Sequence, residues 1–120
     1  MTVAEYEKSP KTFDAIISIS SIEHDGLGRY GDPVNPFGDI QAMQKLKSML
    51  KDDGLLFFAV PIGKDRLVWN AHRIYGKLRL PLLLAGWEII DSPRFSPQDL
   101  EQDNTGRIHQ PVLVLKPKRV

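Results

Sequence analysis

Three adjacent titratable residues, Glu23, His24 and Asp25, directly follow the apolar run of residues 13–22. Histidine titrates near neutral pH, so His24 is suited to accept or donate a proton there. Ligand sites of open α/β sheets lie at the carboxyl ends of the strands, which is where this trio is expected. Glu23 and His24 are therefore the candidate catalytic residues. The structural alternative is that His24 packs within the loop and Glu23 caps local amides.

The next six residues, GLGRYG at 26–31, match the G-x-G-x-x-G pattern that binds the pyrophosphate of dinucleotides. A true site needs its first glycine at the end of a strand and a helix that begins within the pattern. Here the acidic residues of 23–25 intervene, and the prolines of 32–36 prevent a helix directly after the glycines. We interpret the glycines as turn residues of an ordered loop, and we predict no dinucleotide site.

A second polar and aromatic cluster, WNAHRIYG, occupies residues 69–76. It suits a sugar or another polyol, because an aromatic ring stacks on the sugar while polar groups bond its hydroxyls. In the same cluster, Arg73 is suited to hold a carboxylate or phosphate through two hydrogen bonds. The alternative is that the aromatic rings pack on the core and Arg73 pairs with an acid in 23–39. The candidate substrate-binding residues are Asp25, Arg29, Tyr30, Trp69, Asn70, His72, Arg73 and Tyr75.

The sequence gives less support to a metal site, a serine hydrolase or thiol catalysis. The Asp and Asn residues of the 23–39 loop do not follow the spacing of an EF-hand, and their role as turn residues explains them equally well. We therefore predict no metal site. The serines of 18–21 lack the G-x-S-x-G pattern of a hydrolase nucleophile, and the absence of cysteine excludes thiol catalysis and disulfides.

Apolar runs and helical periodicity predict the elements that must position these clusters. Buried strands are expected at 13–22, 55–60, 87–91 and 111–117, an amphipathic helix at 39–51, a short helix at 80–86 and a helical turn around 66–75. Asp39 is expected to be the N-cap of the longer helix, and Gly54 is expected to end it in a left-handed conformation. The prediction is one α/β domain, residues 1–120. Its sheet is predicted to be mixed, with four strands.

The composition limits the kinds of partner that this protein is expected to bind. The chain has 16 basic and 15 acidic residues, for a net charge of +1, so we predict no nucleic-acid partner. The N-terminus has no apolar segment of signal-peptide type, and the longest apolar stretch, residues 78–90, is interrupted by charges and a proline. The expectation is a cytoplasmic protein without a membrane partner.

From residue 13 onward the chain resembles the C-terminal half of a class I S-adenosylmethionine-dependent methyltransferase. The segments FDAIISISSIEH, LKDDGLLFFAVP, LLLAGWEIID and PVLVLKP resemble that fold's fourth to seventh strands with their flanking residues. In more detail, SISSIEHDGLGRYGDPVNP and VWNAHRIYGKLRLPLL resemble an uncharacterised methyltransferase-like family classed as a domain of unknown function. The resemblance, over residues 13–117, implies a partial Rossmann-like fold whose active site lies over residues 21–24. It also implies the strand order first, second, fourth, third, with the last strand antiparallel. It also implies methyl transfer from S-adenosylmethionine to a small polar or glycan acceptor, which Glu23 or His24 would orient or deprotonate.

One departure from that class changes the expectation. The glycine-rich loop after its first strand and the acidic residue after its second, which hold the cofactor, have no counterpart in these residues. We therefore expect an incomplete enzyme unless another chain supplies the cofactor pocket. Without a first strand beside it, the run 14–20 becomes an exposed apolar sheet edge, which predicts a homo-oligomer through that strand. The alternatives are that residues 1–12 cover the edge, that the chain is a non-catalytic interaction module, or that it binds a small molecule with the 23–39 loop and the 69–79 cluster.

Overall fold

The computed structural model describes residues 11–28, 31, 33–69, 71–103 and 109–118. Arg29, Tyr30 and Asn70, three of the predicted substrate-binding residues, lie outside these ranges. The elements in chain order are β1 Phe13–Ile19, α1 Gly38–Met49, β2 Leu50–Ala59, β3 Arg66–Val68, β4 His72–Ile74, α2 Arg79–Leu83, β5 Trp87–Asp91 and β6 Leu113–Pro117. Two short 3-10 helices lie at Ile22–His24 and Pro97–Glu101.

The main sheet has four strands in the order β1-β2-β6-β5. β1 and β2 run parallel because α1 carries the chain back between them, and β6 pairs antiparallel with both β2 and β5. This arrangement confirms the predicted mixed α/β sheet with its strand order. It also brings the carboxyl ends of β1 and β2 to the same edge of the sheet, where the polar residues of 23–25 follow β1.

One face of the sheet forms the core together with α1, α2 and the hairpin β3–β4. The largest fully buried side chains come from all of these layers: Met43, Leu56, Phe58, Tyr75, Leu83, Leu113 and Leu115. The opposite face is left more open, since Ile17 is 72% exposed and Ile19 is 53% exposed. The strand pairing places Ile17, Phe57 and Val114 side by side in one row across that face.

The boundary between α1 and β2 corrects the sequence prediction. α1 ends at Met49 and β2 begins at once, because Leu50 is buried and turns into the core. Phe13 of β1 pairs with Leu50 of β2, whereas Ala15, two residues later on β1, pairs with Leu55, five residues later on β2. Residues 51–54 therefore form a bulge. Gly54 lies in this strand and does not end the helix. A Cβ there would lie 2.9 Å from the Leu50 side chain, so close packing explains the glycine.

The segment expected to hold a helical turn is instead a hairpin. β3 and β4 pair antiparallel, and the Ala71 N–H donates to the Val68 carbonyl at 2.9 Å to close the turn. The hairpin is held to the main body because the Tyr75 N–H donates to the Pro61 carbonyl at 2.9 Å. Pairing between β3 and β4 and contact with the main body thus accompany a conformation that local periodicity does not encode. Across the part of the chain that the structure describes, no helix is long and apolar enough to cross a bilayer.

Candidate functional site

The end of β1 turns sharply into the candidate site. Ser20 has a φ of +53°, a left-handed conformation that is uncommon for a residue with a side chain, and its N–H donates to the Ala59 carbonyl of β2 at 3.1 Å. The chain then enters the 3-10 helix Ile22–His24, so Glu23 and His24 closely follow the carboxyl end of β1. The predicted location of these two residues at the carboxyl end of the sheet is therefore what the structure shows.

Glu23 is almost fully enclosed, at 2% exposure. Its Oε1 has no hydrogen-bond partner among the described residues, and its Oε2 lies 3.7 Å from Nε2 of His24. Burial raises the pKa of the Glu23 carboxyl above its ordinary value, since a carboxylate is poorly solvated there. An acid in this state is suited to exchange a proton with a group beside it.

His24 is held in one orientation. Its Nδ1 donates a hydrogen bond to the carbonyl of Ala71, and its ring meets the ring of His72 edge to face, with centroids 6.2 Å apart. The carbonyl can only accept, so the proton of a neutral imidazole sits on Nδ1 and leaves the lone pair on Nε2. His24 therefore presents Nε2 as the proton-accepting atom, and the hairpin that carries Ala71 and His72 orients it.

Arg73 binds the loop of its own chain. The side chain is buried, and its Nη1 donates to the Asp25 carbonyl at 2.6 Å while Nη2 reaches the Asn35 carbonyl at 3.4 Å. Its Nε lies 3.7 Å from a carboxylate oxygen of Asp39. This is the structural alternative, in which Arg73 pairs with an acid of 23–39. Arg73 thereby holds the two ends of the loop together.

Asp39 is the centre of a buried polar network that sequence reasoning missed. It was expected to be the N-cap of α1, but Phe37 takes that position and Asp39 lies inside the helix with no exposed surface. The Tyr75 hydroxyl donates to its Oδ2 at 2.8 Å, and Arg79 Nη2 lies 3.1 Å from the same atom. Burial, and then the nearby carboxylate, raise the pKa of the Tyr75 hydroxyl, so it stays a donor. The sequence signal that could have revealed this network is the close spacing of Arg73, Tyr75 and Arg79, because such side chains need an acidic partner when they are buried.

The glycines of the loop act as turn residues, as the sequence predicted. Gly26, Gly28 and Gly31 have φ values of +80°, +80° and +82°. The Asn35 N–H donates to the Gly26 carbonyl at 2.7 Å, which closes the loop at its base. A Cβ on Gly26 would lie only 2.1 Å from the Asn35 carbonyl oxygen. The space beside this glycine is therefore occupied by the backbone of the loop itself.

Two clefts flank the loop. The first, which we call the His24 cleft, has a volume of about 460 Å³ and is lined by His24, Asp25, Gly26, Pro33, Asn35, Gly38, Gln41, Ala42 and Lys45. The second, the Trp69 cleft, has a volume of about 410 Å³ and is lined by Gly26, Leu27, Val34, Pro36, Asp65, Arg66, Leu67, Trp69, Arg73, Leu78 and Arg79. Both volumes are in the range of small-molecule sites.

The predicted site residues are thus divided between three places. Glu23, His24 and His72 come together beside the His24 cleft, while Trp69 lines the Trp69 cleft. Tyr75 is fully buried in the Asp39 network and faces no cleft. Among the residues that the structure describes, no group of three acidic or histidine side chains is arranged to hold a metal ion.

Comparison with known proteins assigns a family. The family model described as "Caenorhabditis protein of unknown function, DUF268" matches residues 2–116. The match covers both long segments that the sequence analysis singled out. No curated protein matches the chain.

Proposed function

Since the chain belongs to this family, DUF268, whose description assigns no activity, we propose a function from its own residues: it supplies the acceptor side of a methyl-transfer site. The observation that carries this proposal is the pairing of buried Glu23 with an oriented His24 at the carboxyl ends of β1 and β2. The resemblance to class I methyltransferases is a second support. In that class the corresponding end of the sheet lies over the reacting groups.

The chemistry assigned to these residues is proton removal from the acceptor. A hydroxyl or amine must lose its proton when it takes up a methyl group, and His24 Nε2 is the atom that receives it. The imidazolium then formed lies 3.7 Å from Glu23 Oε2, and its charge favours the ionised form of that carboxyl. The His24 cleft, at about 460 Å³, has room for a small polar acceptor.

At Gly26 the space is taken by the loop itself, since a Cβ there would lie 2.1 Å from the Asn35 carbonyl oxygen. We therefore assign no step of the reaction to a cofactor held by this loop. A second protein segment would supply the nucleoside pocket, and only the reacting end of the cofactor would approach His24.

A titration with S-adenosylhomocysteine, followed by backbone NMR signals, tests the methyl-transfer assignment. We expect weak binding, with a Kd of about 1 mM because the nucleoside pocket is missing, and shifts concentrated in residues 21–25. Adenosine, which lacks the homocysteine part, should leave these signals in place. His24→Ala should remove the response, whereas His109→Ala, at a histidine paired with Asp99, should keep it.

Two outcomes would count against methyl transfer. One is the absence of any shift in residues 21–25 with S-adenosylhomocysteine at about 10 mM, well above the expected Kd. The other is an equal response to adenosine, which would indicate binding of the nucleoside alone.

A second candidate function, assembly with another copy of the chain, is favoured by the exposed edge strand. Among the described residues β1 is the outer strand of the sheet, and Ile17 and Ile19 on it are more than half exposed. Such an edge offers unpaired backbone groups and apolar side chains to another strand. The net charge of +1 imposes little repulsion between two copies.

Ile17→Lys tests this assembly. We expect the unchanged chain to dimerise in the micromolar range and the variant to bind itself at least about tenfold more weakly, because an antiparallel β1 pair brings two lysines close together. Sedimentation velocity measures the dimer. Ile90→Lys is the matched control, since Ile90 is 50% exposed on β5 at the other sheet edge. A chain that is monomeric at about 100 µM, well above a micromolar Kd, would rule out the dimer.

A further inference from the structure

We propose that the Trp69 cleft binds a small organic molecule that carries a flat apolar ring and one carboxylate group. This cleft lies between the 26–36 loop, the hairpin β3–β4 and the start of α2. It is lined by different side chains from the His24 cleft, with only Gly26 in common. The site therefore goes beyond the methyl-transfer function proposed above and does not depend on it.

The apolar wall of the cleft is exposed to solvent. Leu67 pairs directly with Arg73 across the hairpin, so their side chains share a face, and both line the cleft. Around the same cleft, Trp69 is 65% exposed, Leu78 is 75% exposed and Val34 is 63% exposed. Exposed apolar side chains gathered around one concave surface are typical of a ligand site. The Trp69 indole offers the flat surface on which an aromatic ring stacks.

The charges of the cleft favour an anion with a single charge. Three arginines line it, Arg66, Arg73 and Arg79, against one acid, Asp65. The Asp65 carboxylate already accepts hydrogen bonds from the backbone N–H groups of residues 76, 78 and 79. Buried Asp39 balances a second arginine through its contacts with Arg73 and Arg79. Among the described residues, the three arginines therefore exceed the two acids by one positive charge. A singly charged carboxylate balances this charge better than a phosphate dianion does.

Two of the arginines have donors to offer such a ligand. Arg73 is occupied by the loop carbonyls and Asp39, so it serves as part of the wall. Arg79 uses Nη2 for Asp39 and the Pro36 carbonyl, and its Nη1 makes no hydrogen bond among the described residues, so Nη1 is the donor that it can offer to a ligand. The Arg66 side chain lies exposed at the cleft, on the strand next to Leu67. A carboxylate held by Arg66 and Arg79 places its ring over Leu67 and Trp69.

A pair of ligands with the same ring tests this site: 2-naphthoate, which is an anion, and 2-naphthalenemethanol, which is neutral. The indole N–H signals in an NMR titration report the binding position, because the chain has two tryptophans and only Trp69 is exposed. We expect naphthoate to shift the Trp69 signal in a saturable way and to leave the signal of buried Trp87 unchanged. The neutral ligand should bind at least about tenfold more weakly, since it loses the charge-assisted hydrogen bonds.

A matched pair of arginine variants completes the test. Arg66→Gln should weaken naphthoate binding about tenfold, whereas Arg94→Gln should leave it unchanged, because Arg94 is exposed but does not line the cleft. Three results would overturn the assignment: equal binding of the neutral ligand, equal effects of the two variants, or a Trp69 signal that does not respond. Both arginines are on the surface, so neither variant is expected to unfold the protein.

Discussion

Asp39→Ala should lower the free energy of unfolding by about 3–5 kcal/mol, the cost of removing one partner from a buried ion pair. The carboxylate has no exposed surface, and it is contacted by Arg73, Arg79 and the hydroxyl of Tyr75. Alanine leaves a buried guanidinium and a buried hydroxyl without this acceptor. Urea unfolding measures the loss as a lower midpoint at an unchanged m-value.

Two further variants show that the loss comes from the buried network. Asp53→Ala removes an aspartate whose side chain is fully exposed and 4.0 Å from Lys116, so no measurable change is expected. Combining Asp39→Ala with Arg79→Ala should cost less than the sum of the two single changes, because the two residues share one interaction. Equal effects of Asp39→Ala and Asp53→Ala would contradict the central role of Asp39.

Gly26→Ala should destabilise the protein by about 3 kcal/mol or more and open the base of the loop. Two costs add at this position. A side chain is disfavoured at a φ of +80°, and its Cβ would lie 2.1 Å from the Asn35 carbonyl oxygen, a distance that real contacts do not reach. The backbone must shift, which breaks the hydrogen bond from the Asn35 N–H to the Gly26 carbonyl. Urea unfolding gives the stability, and hydrogen exchange at the Asn35 amide reports the loop.

Gly31→Ala is the matched control for this change. Gly31 has nearly the same φ, +82°, but a Cβ there meets no atom of the described residues within 4 Å. Only the conformational cost of about 1 kcal/mol is therefore expected, with the Asn35 amide still protected. If the two glycine variants behaved alike, the close contact between Gly26 and Asn35 would not be what requires the glycine.

The parts of the fold that the sequence predicted correctly are those where burial is strong and local. β2 and β6 have buried apolar side chains, as expected for strands covered by other elements. β1 is a strand, as predicted, but the expectation that it is buried was wrong, because it lies at the edge of the sheet and none of its residues is fully buried. The position of Glu23 and His24 followed from the general rule that strand ends carry ligand sites.

The errors occur where a distant contact overrides a local preference. The segment 66–75 was expected to hold a helical turn. It instead pairs as β3 and β4, and the Tyr75 N–H donates to the Pro61 carbonyl. Asp39 resembles a helix cap, yet its true partners are 34 to 40 residues further along the chain. The sequence left open whether Arg73 binds a ligand or pairs with an acid. The packing of the loop places it beside an acid.

The sequence by itself determined the strands of the sheet and the turn role of the glycines in 26–31, because these depend on apolar periodicity and on backbone sterics. Only the tertiary structure decided which charges meet. It buried Asp39 among Arg73, Tyr75 and Arg79, aligned His24 through Ala71, and left Trp69 and Arg66 facing a cleft. A charged side chain takes its partner from whatever segment packs against it, and that choice is made by the fold as a whole.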